Sequence, residues 1–120
     1  MTSTLYKVED NSAGNEHLPQ LTIGWPDSDV RIKQKVNLNT QDTNELINKI
    51  NPFLKKKKDM FLSGHMSNYV LDTYEGTTLS SRISYDLEDL NWVSITNEDI
   101  RFKIKHPNEL EIIFSQYLNI

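Results

Sequence analysis

The chain contains no cysteine. Disulfides, Cys-ligated zinc, iron–sulfur clusters and thiol nucleophiles are therefore excluded. Only four glycines occur, and no two are close together, so there is no Gly-rich loop to cradle phosphates. No apolar run approaches the roughly 20 residues that span a bilayer. Residues 1–7 lack the basic and apolar regions of a signal peptide, and a cytoplasmic location is expected. Alanine occurs once and arginine three times, against twelve Asn, eleven Ile and ten Lys. The favoured residues have AT-rich codons, an association that suggests a bacterial, phage or horizontally acquired gene.

Histidine is also scarce. His17, His65 and His106 have no second histidine at helical ligand spacing, so no metal site is visible. Each falls at an expected loop or element end. Ser63-Gly64-His65 follows an expected helix and is not the Gly-x-Ser-x-Gly turn of a hydrolase nucleophile. No enzyme activity and no cofactor are expected.

What remains is a soluble, globular composition: 120 residues, 37% hydrophobic and 25% charged. That length suits one domain with its own core, and residues 1–120 are read as a single domain with a loop-rich stretch over 1–17.

The net charge of −4 hides a partition. Residues 31–58 hold Arg31, Lys33, Lys35, Lys49 and Lys55 to Lys58 against Asp42 and Glu45, a net of +6. Residues 72–99 hold Asp72, Glu75, Asp86, Glu88, Asp89, Glu98 and Asp99 against Arg82, a net of −6. Such asymmetry bears on association and steering rather than on fold. The plain alternative is that the two halves neutralise each other on the folded surface.

Periodicity gives the elements. Near Leu5 to Val8 the pattern supports a short strand at most. Leu21, Ile23 and Trp25 alternate, Pro26 to Asp29 form a turn, and Val30, Ile32, Val36 and Leu38 alternate again. That is a hairpin, with Gln34 as the one polar residue on the apolar side. Asp42-Thr43-Asn44-Glu45 reads as a capping box opening a helix that stops near Asn51. Pro52 is expected to open a second helix carrying the four lysines and ending at Gly64, with one kinked helix as the alternative. Residues 69–86 form a hairpin that pairs Leu71 with Ile83, Tyr69 with Tyr85, and Asp72 with Arg82. A further hairpin pairs Val93 with Phe102 and Ile95 with Ile100. Pro107 opens a last helix, with Leu110, Ile113, Phe114, Tyr117 and Leu118 on one stripe; a strand through Leu110, Ile112 and Phe114 fits fewer positions. The expected fold is α+β: about six mostly antiparallel strands in the order ββ-α(α)-ββ-ββ-α, with helices on one face.

Two surfaces are candidate sites. In the expected registers Tyr74 lies with Asp72, Arg82 and Asp86, and Trp92 lies on the polar side of its strand. Aromatics beside acids resemble the anchors of a protein interface. The leading expectation is a non-catalytic inhibitor, of the toxin-neutralising immunity type. It would dock Asp72, Tyr74, Glu75, Asp86, Glu88, Asp89, Trp92, Glu98 and Asp99 on a basic protein. The alternative is a nucleic-acid or phosphate site built from Arg31, Lys33, Lys35, Lys55, Lys56, Lys57 and Lys58. Against it stand a pI of about 5.3 and the absence of a paired-aromatic RNA-binding strand. Solvated turn acids and a solvated lysine run are the bland readings of the same residues.

Overall fold

The computed structural model describes residues 1–10, 30–57, 69–87, 92–95 and 101–118. Among the described residues, seven strands form one antiparallel sheet: β1 (Thr2–Asp10), β2 (Val30–Leu38), β3 (Leu54–Lys57), β4 (Tyr69–Glu75), β5 (Thr78–Asp86), β6 (Trp92–Ile95) and β7 (Arg101–Ile104). Their spatial order is β2-β1-β4-β5-β6-β7-β3. The helices are α1 (Thr40–Ile50) and α2 (Pro107–Leu118). The class is α+β, as the periodicity implies, but two elements differ from expectation.

The first is β1, a nine-residue strand between β2 and β4 where only a short strand was expected. Ser3, Thr4, Leu5 and Tyr6 are all buried. A strand covered on both faces shows no polar alternation, and Ser3 and Thr4 blur the apolar signal further. Their hydroxyls are matched: Ser3 Oγ lies 2.7 Å from Thr43 Oγ1, and Thr4 Oγ1 donates to Asn37 Oδ1 at 3.0 Å.

The second is the lysine run. Where the second helix was expected to begin, a 3₁₀ turn at Asn51–Phe53 leads directly into β3; its expected remainder to Gly64 lies outside the described residues. Pro52 fits the turn's start. Here β3 finds a partner in β7, and the pairing continues as Lys105 N–H donates to Phe53 O at 2.7 Å.

The hairpin from residue 21 to 38 falls partly outside the described residues; β2 itself pairs with β1. A bulge at Lys7/Val8 shifts that register. It sets Ile32 beside Val8 on the face opposite Val36 and Leu38. This explains Gln34: the apolar alternation of β2 changes faces there. The β4–β5 pairing matches expectation at Tyr69–Tyr85, Leu71–Ile83 and Asp72–Arg82, as does Val93–Phe102 between β6 and β7. The partner proposed for Ile95, Ile100, lies outside the described residues. Gly76, at φ +64°, supplies the left-handed residue of the β4–β5 turn.

One face of the sheet holds the main core. Leu5, Leu38, Tyr69, Leu71, Tyr85, Val93 and Ile104 pack there with Leu46 and Ile50 of α1 and Leu110, Phe114 and Leu118 of α2. The other face carries a smaller cluster of Tyr6, Val8, Ile32 and Val70. At the surface, Tyr117 Oη donates to Glu45 Oε1 at 2.6 Å, and Lys49 Nζ lies 3.0 Å from the same carboxylate. The Tyr117 bond, then Lys49, hold the Glu45 carboxyl below its usual range.

The start of α1 also corrects the sequence reading. Asn39, not Asp42, is the cap: its Oδ1 accepts from the Asp42 N–H at 2.8 Å. Changing Asn39 to Ala should therefore cost about 1 kcal/mol in a urea titration, with the slope unchanged. A cost near zero would show that this bond does not hold the helix start.

Candidate functional site

The acidic set does not form one exposed surface. Asp72 is fully buried, because β4 is covered on both faces through Thr73. Its carboxylate takes two charge-assisted bonds from the equally buried Arg82, Nε to Oδ1 at 2.7 Å and Nη2 to Oδ2 at 2.8 Å. This bidentate pair is an internal device. Asp86 is buried too, as the last residue of β5 rather than part of a solvated turn. Asp72 and Asp86 are therefore not docking charges. Close to Asp86, Ser84 Oγ is buried with no hydrogen bond.

Tyr74 is half-buried and Glu75 exposed. A bulge at Thr73/Tyr74 interrupts the pairing there. The Thr73 hydroxyl lies 2.6 Å from Ser81 Oγ and 3.0 Å from Ser80 Oγ. Burial first, then the neighbouring Tyr74 and Asp72, push the Tyr6 phenol above its ordinary range. Tyr74 thus has an internal neighbour as well as an exposed side. Trp92 sits on β6, opposite Asp86 and Lys103. Glu88, Asp89, Glu98 and Asp99 lie outside the described residues.

The basic set is divided. Arg31, Lys33 and Lys35 belong to β2, and Lys55, Lys56 and Lys57 to β3; among the described residues these strands lie at opposite ends of the sheet. Six inter-strand steps separate them, about 29 Å at the usual spacing. They cannot form a single compact anion site. Lysine on an edge strand discourages pairing with another sheet, so edge protection accounts for much of the segment. Lys58 lies outside the described residues. The register, however, brings two cations that sequence proximity does not suggest: Lys103 stands directly opposite Lys55, and Arg101 opposite Lys57.

Among the described residues, no three His, Asp or Glu side chains gather as a metal site. His106 is exposed at φ +51°, just before α2; His17 and His65 lie outside the described residues. A cavity of about 250 Å³ opens between the end of α1 and the sheet. Its walls include Ile47, Ile50, Leu54, Ile83, Val93 and Phe102, with Asn51 and Tyr85. Burial pushes the Tyr85 phenol above its ordinary range. No described helix is long and apolar enough to cross a membrane.

Compared with known proteins, the chain matches no family model, no curated protein and no solved structure.

Proposed function

We propose that this chain is a non-catalytic, stoichiometric binding protein of the cytoplasm, an inhibitor of the toxin-neutralising immunity type whose partner is a basic bacterial protein domain. The observation that supports it is the end of the β4–β5 hairpin. Exposed Glu75 and half-buried Tyr74 are adjacent in the chain there, beside a turn held by Gly76 and on strands fixed by the buried Asp72–Arg82 pair. A hairpin end that leaves an acid exposed and an aromatic partly exposed suits an interface anchor. The docking set narrows to Tyr74, Glu75 and Trp92, with Glu88, Asp89, Glu98 and Asp99 completing the acidic charge. Acidic residues so used compete with nucleic-acid phosphates for a nuclease's basic cleft and speed association at low salt.

The test begins with capture of the partner from the native host and its identification by mass spectrometry. The purified partner is then titrated with wild type and with a Glu75→Lys, Glu98→Lys, Asp99→Lys variant. The expected partner is basic, its association slows as salt rises, and the reversals weaken binding at least tenfold. An acidic partner, or unchanged affinity after the reversals, would overturn the reading. Glu75 is exposed, so its reversal should leave the unfolding midpoint near that of wild type.

A further inference from the structure

Helix α1 starts directly after β2 and, through the turn at Asn51–Phe53, hands the chain to β3 at the other end of the described sheet. It therefore crosses the strands rather than lying along one of them. A straight helix crossing a twisted sheet cannot touch it everywhere. The gap falls at the last turn of α1, where the cavity of about 250 Å³ opens beside Ile47 and Ile50. Tyr85, Val93 and Phe102 form one row of its lining across β5, β6 and β7. Ile47, Leu54, Ile83 and Phe102 all pack against the main core, yet each is only half-buried. All four line the cavity.

No described wall of the cavity is charged. An ion entering it would lose water with no counter-charge in return, which is costly, so a neutral occupant suits it. Asn51 is exposed. Tyr85 brings the buried polar group: it is 2% exposed, and its ring meets Phe114 edge-on. No described residue hydrogen-bonds its hydroxyl, and burial is the sole cause that raises its phenol. A buried donor left without an acceptor costs free energy, and an acceptor on a ligand would remove that cost. Volume sets the size. An apolar cavity of about 150 Å³ accepts benzene, so the larger space here suits about two fused rings. It falls far short of what a stable protein interface buries.

We infer that this cavity binds a neutral, mainly apolar small molecule of about two fused rings that carries one hydrogen-bond acceptor, with the Tyr85 hydroxyl as its donor. None of the lining residues belongs to the docking set, so the site does not depend on the inhibitor reading.

Quinoline and naphthalene share one shape, and only quinoline carries an acceptor. Each is titrated at neutral pH, where quinoline is uncharged, into protein labelled at its isoleucine methyls. The methyls of Ile47, Ile50 and Ile83 should shift to saturation. Those of Ile32, in the cluster on the opposite face, and of exposed Ile112 should not. Tyr85→Phe removes the hydroxyl and keeps the ring. It should weaken quinoline about tenfold, the cost of a buried acceptor left unpaired, and leave naphthalene within about twofold. It should melt no lower than wild type, since the lost hydroxyl has no partner to orphan. Ile47→Phe, which fills the cavity from the half-buried side of α1, should abolish binding of both probes. If neither probe shifts the three methyls, the cavity is no ligand site. If Ile32 or Ile112 shifts alike, binding is non-specific and the proposal fails. If Tyr85→Phe affects quinoline no more than naphthalene, the hydroxyl is not the donor and the assignment falls.

Discussion

Replacing Arg82 by alanine is expected to lower the unfolding free energy by about 3–5 kcal/mol, because it leaves a carboxylate buried without its charge partner. Both side chains of the Asp72–Arg82 pair are 0% exposed. In water each would be solvated from all sides; here the fork of one meets the two oxygens of the other. Arg82 also has interactions beyond this pair, so the single change should fall toward the upper end of that range. The pair's net contribution is another matter. Taking both charges out of water offsets most of their attraction, and an apolar pair of similar volume is often neutral or stabilising. An Asp72→Leu, Arg82→Met double variant should therefore recover much of the loss. Urea titrations of Asp72→Leu, Arg82→Met and the double variant close the cycle. A cost below about 1 kcal/mol for Arg82→Ala is what an exposed ion pair would give, and it would contradict the burial.

The same pair shows how far the sequence could be read. Alternation of Tyr69, Leu71, Ile83 and Tyr85 specified the β4–β5 register, and with it the meeting of Asp72 and Arg82. Their burial was not legible. A charged residue on the polar side of a strand looks the same whether that face meets water or is covered, and only the charge facing it decides the energetics. Asp86 was misread for the same reason. Strand β1 hid because Ser3 and Thr4 occupy buried positions and their hydroxyls are satisfied by Thr43 and Asn37 respectively, partners more than thirty residues away.

The lysine run misled in a different way. Adjacency in sequence suggested one basic surface from Arg31 to Lys58, yet among the described residues β2 and β3 lie at opposite ends of the sheet. Strand β3 has no apolar alternation of its own beyond Leu54 and is a strand because β7 offers it a partner. Arg101 and Lys103 come opposite Lys57 and Lys55 only through that pairing, across more than forty residues of chain, so no local pattern announces it.

The helix over residues 107–118 was legible, since five apolar positions fit its period, and its central residue carries the other large expected effect. Phe114 is 0% exposed. Its ring stacks on Tyr69, centroids 4.7 Å apart at 22°, and meets Tyr85 edge-on at 5.0 Å and 63°. It is the point where α2 is pressed against β4 and β5. Phe114→Ala should cost about 3–5 kcal/mol, through lost burial and the cavity left behind, and the two aromatic contacts place it toward the upper end. Ile112, on the same helix and 58% exposed, is the control: Ile112→Ala should stay within about 0.5 kcal/mol of wild type. Both changes put alanine, the best helix former, into the same helix, so any difference reports packing rather than propensity. Equal costs for the two variants in urea titrations would mean that α2 does not rest on the sheet through Phe114. A large gap would place the chief hold between helix and sheet in the contacts of Phe114 with Tyr69 and Tyr85.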